Sequence, residues 1–360
     1  MQPRKVIKGI VPYSPGRLEP GAIKLASNEN PLGPSPLALK AIAEAARGVN
    51  LYPDGASAAL KAAIAAKRAG GALGPSSVVT GNGSDEILQL IAWAFIEPGL
   101  NAIGSACTFS EYAFAVNVAG GEMRQAPLRE GRFDLAAIAA LADANTRVAY
   151  LCNPNNPTGT YFTVAELDAF LDAVGDDVVV VLDEAYREYV DADDYPDSDA
   201  LVRSRRNVIA LATFSKIYGL AGLRVGYGIA HEGLASWVEK AREPFNVNLL
   251  AQAAALAALG DESFVAESRR LNKEGLEFIA AGLDRLGLRH YPSQSNFVCF
   301  DTGRDCMAMF EEIMRRGVTV RPLKGFGLPT WLRVSTGLPE QNTTFLDALE
   351  ASLKAVPAVG

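Results

Sequence analysis

Between residues 78 and 230 short β-branched or apolar runs alternate with windows of helical periodicity, an alternation that few folds accept. The runs fall at 78–80, 102–105, 122–127, 148–152, 178–182, 207–212 and 225–230, with helical windows between several of them, including 135–141 and 164–174. Strands apolar at every position need both faces covered, so the pattern predicts an α/β fold with a mostly parallel central sheet sandwiched by helices. After Pro244 the pattern is helical from about 248 to 286. Strand-like runs at 290–301, 318–322 and 331–336 then predict a smaller α+β unit. Ahead of all this, Pro3, Pro12, Pro15 and Pro20 with Gly9, Gly16 and Gly21 read as an extended arm. The expected division is an N-terminal arm over 1–30, a large domain over 31–247 and a small C-terminal domain over 248–360.

Bulk properties exclude several classes of function. The 360 residues are 49% hydrophobic and 21% charged, the balance of a globular enzyme with a sizeable core. A formal net charge of −7 and the lack of a basic run argue against a nucleic-acid partner. Residues 1–10 alternate charged and apolar side chains and hold no apolar signal core, and no apolar stretch approaches the length of a membrane span. Cys107, Cys152, Cys299 and Cys306 are scattered, at neither metal-ligand nor disulfide-framework spacing. A cytoplasmic, reduced protein is expected.

Chemistry-bearing residues gather just beyond the ends of successive predicted strands, where open α/β sheets bind ligands. The 207–212 run leads into Thr213-Phe214-Ser215-Lys216, with Ala221-Gly222-Leu223-Arg224 behind it. A lysine that can form a Schiff base, beside a serine and an arginine suited to a phosphate, suggests pyridoxal phosphate (PLP). A surface Ser-Lys pair in a loop has the same spelling. The 178–182 run ends in Asp183-Glu184-Ala185-Tyr186. Asp183 is placed either to keep a pyridine nitrogen protonated or to cap the next helix. The 148–152 run ends in Asn153-Pro154-Asn155-Asn156-Pro157-Thr158-Gly159, a rigid loop whose asparagine amide can donate to a phenolate oxygen. Gly81-Asn82-Gly83-Ser84-Asp85-Glu86 precedes a helix over 87–96, and its free amides suit a phosphate or simply form a glycine turn and cap.

In order and spacing, Asn156-Pro157-Thr158-Gly159, Asp183-Glu184-Ala185-Tyr186 and Ser215-Lys216 with Ala221-Gly222-Leu223-Arg224 resemble the fold-type I PLP-dependent aminotransferases. Tyr13, Pro15 and Gly16, the segment Ala26-Ser27-Asn28-Glu29-Asn30-Pro31-Leu32-Gly33 and Tyr52-Pro53-Asp54-Gly55 narrow the resemblance to the histidinol-phosphate aminotransferase family. It covers nearly the whole chain. The resemblance implies that Lys216 binds PLP covalently and moves the proton, that Asp183 pairs with the pyridinium, and that Asn156 and Tyr186 hydrogen-bond the ring oxygen. It implies a phosphate cradle of Gly83, Ser84, Asp85, Ser215 and Arg224, with Phe109 stacked on the ring. Tyr52 would reach the neighbouring subunit's cofactor, which makes the active unit a homodimer. Arg333 is implied as the anion partner of the substrate, with Arg321, Tyr13 and Asn30 as further substrate contacts.

The implied reaction moves an amino group between glutamate or 2-oxoglutarate and histidinol phosphate or imidazole acetol phosphate, in histidine biosynthesis. Two departures from the family pattern, Phe109 in place of a tyrosine and Cys107 in place of a proline, lie beside the expected ring. They leave open an aromatic amino acid aminotransferase, and more remotely a decarboxylase acting on threonine phosphate.

Overall fold

Apolar runs that cannot face water form the middle of the molecule. The computed structural model describes residues 1–10, 19–69 and 72–359. It arranges seven strands in the order Val78–Gly81, Gly226–Ala230, Val208–Thr213, Val179–Asp183, Thr146–Cys152, Asn101–Ser105 and Glu122–Ala126. Four of the six pairings are parallel; Gly226–Ala230 runs antiparallel to both of its neighbours. Five of the seven strands are buried at every position, as expected where helices cover both faces. Each fully buried Val, Leu or Ile there gains about 1.5–3 kcal/mol by leaving water. The outermost strand carries Glu122 and Arg124, charges that discourage edge-to-edge pairing.

Parallel register sets the strand ends side by side. Cys152 pairs with Asp183, and Asp183 pairs with Leu211, so the loops after all three strands open at the same end of the sheet. A fourth contribution comes from the helix Gly83–Phe95, whose start lies against Gly226. A Cβ on Gly226 would come within 2.5 Å of the Ser84 nitrogen, so only glycine permits this approach.

A second core forms around the three-stranded antiparallel sheet Arg321–Pro322, Trp331–Ser335 and Phe297–Asp301. The third of these strands is shorter than the expected 290–301. Residues 293–295 turn away to dock on the 153–160 loop, with the Gln294 amide donating to the Gly159 carbonyl at 2.8 Å. Two further differences concern the expected division. The arm is not uniformly extended: Lys5–Gly9 is a short helix, and Ile23–Lys24 pairs in parallel with Val318–Thr319, burying Leu25 in the small core. The helix Leu249–Leu259, expected with the small unit, packs against Pro36–Ala45 and buries Ala251, Ala254, Ala255 and Ala258 in the large core. Alanines on that face let the two backbones approach closely, which helical periodicity alone does not reveal.

Behind the strand ends lies a buried ionic network. Arg68 donates to Asp199 at 2.6 Å, to Glu184 at 3.2 Å, to Ser198 at 3.0 Å and to the Tyr227 hydroxyl at 3.1 Å. Glu184 also accepts from Ser198 at 2.6 Å, and Arg187 stands near both carboxylates. Removing one member strands the others without partners in a medium that solvates charge poorly. Arg68→Ala is therefore expected to lower the unfolding free energy by about 3–5 kcal/mol in urea denaturation. A loss below about 1 kcal/mol, the range of an exposed ion pair, would contradict the network's structural role.

Candidate active site

The common end of the sheet encloses a cavity of about 230 Å³. Asn156, Asp183, Tyr186 and Lys216 enter it from the ends of three adjacent strands and the loops after them, and Gly83, Ser84 and Asp85 enter it from the start of the neighbouring helix. Phe109, Ser215 and Arg224 complete the wall, together with Ser27, Glu29 and Cys152. A larger open depression of about 780 Å³ elsewhere is lined by Arg132, Glu166, Phe133 and Phe170. Its Arg132 and Glu166 neutralise each other at 2.8 Å, and none of the strand-end groups reaches it.

Asp183 is the most costly group in the cavity. It is 3% exposed; its Oδ2 accepts from the Tyr112 hydroxyl at 2.7 Å and its Oδ1 from the Ala185 amide at 3.2 Å. Burial pushes its carboxyl up to about 6, opposed by the Tyr112 hydrogen bond and reinforced by Asp85. No basic side chain pairs with it among the described residues, although buried carboxylates normally have one. A pyridinium N–H is a partner of the missing kind.

Lys216 faces the same space. Its Nζ donates to the Ser27 carbonyl at 3.3 Å and lies 5.7 Å from the Tyr186 ring centre. Burial, and then the Arg333 charge, pull its amine down to about 8, against the attraction of Asp85 and Glu29. A lysine neutral this close to physiological pH is a nucleophile and a proton acceptor.

At the far end the helix Gly83–Phe95 presents its first amides without a side-chain cap. Gly83 has φ +78°, and a Cβ there would meet Arg224 Nη2 at 2.8 Å. Arg224, itself left-handed at φ 53°, pairs with Asp85 at 2.9 Å. Ser215 sits under the same spot, its hydroxyl accepting from Thr213 at 2.9 Å. Free helix amides, a hydroxyl and a guanidinium converge here, the donor set of a phosphate site. The residues present thus fit PLP at both its ring and its phosphate.

The remaining sequence candidates divide. Tyr186 is buried, and its hydroxyl accepts from Asn28 Nδ2 at 2.9 Å, which leaves the phenol hydrogen available to donate. Asn156 Oδ1 accepts from Arg333 Nη1, which leaves the Asn156 NH2 group as the donor side. Arg333 is 6% exposed, donates to the Ala26 carbonyl at 2.7 Å and lies 5.1 Å from the Phe297 ring centre, one layer behind the cavity wall. Arg321 stands directly opposite Arg333 on the adjacent strand and is half-buried. Asn30 does not line the cavity: its NH2 group bonds the Ile217 carbonyl at 2.7 Å and Ser268 at 2.9 Å, and its Oδ1 accepts from the Leu32 amide. Those bonds tie the 27–33 segment to the chain around Ile217 and Ser268. Tyr52 is 84% exposed, stacked on Phe245 at 4.9 Å and remote from its own chain's cavity. Tyr13 lies outside the described residues.

Two residues with clear roles in this geometry escape a reading by motif. Asn28, left-handed at φ 56°, links Tyr186 to Ser335 and Asn296 of the small sheet region. Tyr112 holds Asp183. The signal for Tyr112 was a tyrosine on the apolar face of a helix, because a buried phenol must find a partner for its hydroxyl.

Comparison with known proteins agrees with this geometry. Residues 20–349 match the family model for aminotransferases of class I and II. The chain is 49% identical over 360 residues to the histidinol-phosphate aminotransferase of Moorella thermoacetica, covering 97% of this chain and 92% of the relative. It is 46% identical over 358 residues to histidinol-phosphate aminotransferase 2 of Pseudomonas fluorescens, covering 96% of each. The structure of histidinol-phosphate aminotransferase from Sinorhizobium meliloti in complex with pyridoxal-5′-phosphate superposes with a TM-score of 0.86 at 30% identity, covering 98% of this chain and 97% of the other. With its strand-end lysine, buried aspartate and helix-borne phosphate cradle, the chain belongs to the histidinol-phosphate aminotransferase family, within the fold-type I aminotransferases of class I and II.

Proposed function

We propose that the chain is a PLP-dependent histidinol-phosphate transaminase of histidine biosynthesis, exchanging an amino group between glutamate and imidazole acetol phosphate. The observation that carries this reading is the convergence of Lys216, Asp183, Asn156 and Tyr186 from three adjacent strand ends upon a cavity closed by an uncapped helix start. When bound, PLP supplies an electron sink for the carbanion left as the amino acid loses its Cα proton.

The chain's own residues supply the rest. Asp183, ionised above about pH 6, holds the proton on the ring nitrogen. Tyr186 and the Asn156 NH2 group donate to the ring oxygen, each oriented by a second partner, Asn28 for one and Arg333 for the other. Gly83, Ser84, Asp85, Ser215 and Arg224 hold the phosphate, and Phe109 flanks the ring. Lys216 would hold PLP and, with its depressed pKa, would serve as the general base that takes the proton from the substrate's Cα. Arg333 and Arg321 receive the substrate's anionic group. Arg333 donates to a neutral carbonyl and a neutral amide oxygen, and an anion accepts stronger hydrogen bonds than either.

The reading includes a homodimer. Leu37, Leu39, Val49, Leu51, Tyr52 and Phe245 are exposed along residues 36–52 and beside them, and clustered exposed apolar side chains mark interaction surfaces. A second copy on that face brings Tyr52 of the partner subunit to the phosphate end of the cavity. Among the described residues no single helix is long and apolar enough to cross a membrane.

Half-reactions test the substrate. Purified protein loaded with PLP is mixed separately with histidinol phosphate, glutamate or phenylalanine, and the loss of its visible absorbance band is followed. Conversion by histidinol phosphate and glutamate at far lower concentration than by phenylalanine is expected; the reverse order would make the enzyme an aromatic aminotransferase. Lys216→Ala is expected to lower turnover by about 10³-fold or more, since it removes both the attachment point and the general base.

The lysine itself can be titrated. In PLP-free protein its amine loses its proton as pH rises through about 8, so labelling of Lys216 by an amine-selective reagent, read by peptide mass spectrometry, is expected to reach half its maximum near pH 8. A midpoint at 10.5, the ordinary value, would contradict the environment described for it.

A further inference from the structure

One side chain holds Asp183, and the same side chain braces the cavity wall. Tyr112 donates to Asp183 Oδ2 at 2.7 Å. Its ring stacks on Tyr150 with centroids 5.2 Å apart and planes at 12°, and it meets Phe109 edge-on at 5.8 Å and 83°. Tyr112 is fully buried on the inner face of the helix Glu111–Ala119, so water cannot replace its hydroxyl. The aim of that hydroxyl is set by the packing of the ring between two other aromatics.

We propose that Tyr112 is a positioning residue for the cofactor ring, fixing the Asp183 carboxylate that meets the ring nitrogen and bracing the Phe109 side chain that flanks the ring. This inference rests on the PLP reading given above. The other groups around Asp183 do not do this work. Asp85 and Glu184 repel its charge, and Cys152 and Tyr186 are held neutral by burial. Of the cations lining the same cavity, Arg224 pairs with Asp85 at 2.9 Å, and Lys216 is committed elsewhere once PLP is attached. Tyr112 is thus the one side chain among the described residues that hydrogen-bonds the charged form. Without that bond the carboxylate takes up its proton at higher pH and loses its grip on a protonated ring nitrogen.

The test is retention of PLP by the holoenzyme, dialysed against PLP-free buffer between pH 5.5 and 9. Wild type, Tyr112→Phe, Asp183→Asn and the double variant are compared, with folding checked by circular dichroism. Tyr112→Phe is expected to hold PLP about 3-fold more weakly than wild type near pH 6.5 and about 8-fold more weakly at pH 5.5, as a rise of about one unit in the Asp183 pKa dictates, with the difference shrinking as pH rises. In the Asp183→Asn background the same substitution is expected to change retention less than about twofold. Equal retention by wild type and Tyr112→Phe, a loss uniform across pH, or an undiminished loss in the Asp183→Asn background would each overturn the proposal. If Tyr112→Phe does not fold, Tyr112→Met also lacks the donor and carries the same expectations. Failure of the wild type itself to retain PLP would instead bring down the functional reading on which the proposal rests.

Discussion

A carboxylate buried at the end of a strand that is itself buried on both faces is expensive to keep, and the arrangement around Asp183 follows from that expense. Water cannot solvate the charge, and among the described residues only a phenol and one backbone amide do so directly. The group is left with unmet demand for a cation. A cationic ring satisfies that demand, and the groups suited to the ring's other edges stand where the sheet register delivers them. Because Cys152, Asp183 and Leu211 lie in register, the loops after their strands cannot open anywhere but beside one another.

Rigidity behind the cavity makes this arrangement durable. Glu184 follows Asp183 directly and is anchored in the opposite direction, into the Arg68 network, so the backbone at the strand end is tied from behind. Gly226 lets the helix start at Gly83 close against the sheet, which sets the distance between the phosphate cradle and the ring end. The Asn28 segment then joins the two cores. One asparagine bonds Tyr186 on the large side and Ser335 and Asn296 on the small side, so a displacement of the small sheet is felt at the phenol facing the cofactor.

Much of this is legible in the sequence, for physical reasons that also mark where legibility stops. Strands buried on both faces must be apolar throughout, so the sheet and its strand ends show plainly, and with them Asn156, Asp183 and Lys216. The reversed direction of Gly226–Ala230 does not show, because an apolar run reads the same either way. The assignment of Leu249–Leu259 to the large core also escapes, since alanines at a helix crossing carry no label for their partner. Within the site the residues whose roles a motif leaves open share a cause. Asn30 and Asn28 stand two apart in one turn-rich motif, and only the fold decides that the first stitches backbone while the second reaches Tyr186. Tyr112 carries chemistry from within an apolar helix face, where its spelling is that of core packing.

The most direct measurement is the crystal structure of the protein with PLP. The account requires the pyridine nitrogen within hydrogen-bond distance of Asp183, density continuous with Lys216 Nζ, and the phosphate at the amides of Gly83, Ser84 and Asp85. PLP attached to another lysine, or seated with its phosphate away from that helix start, would contradict the account at its centre.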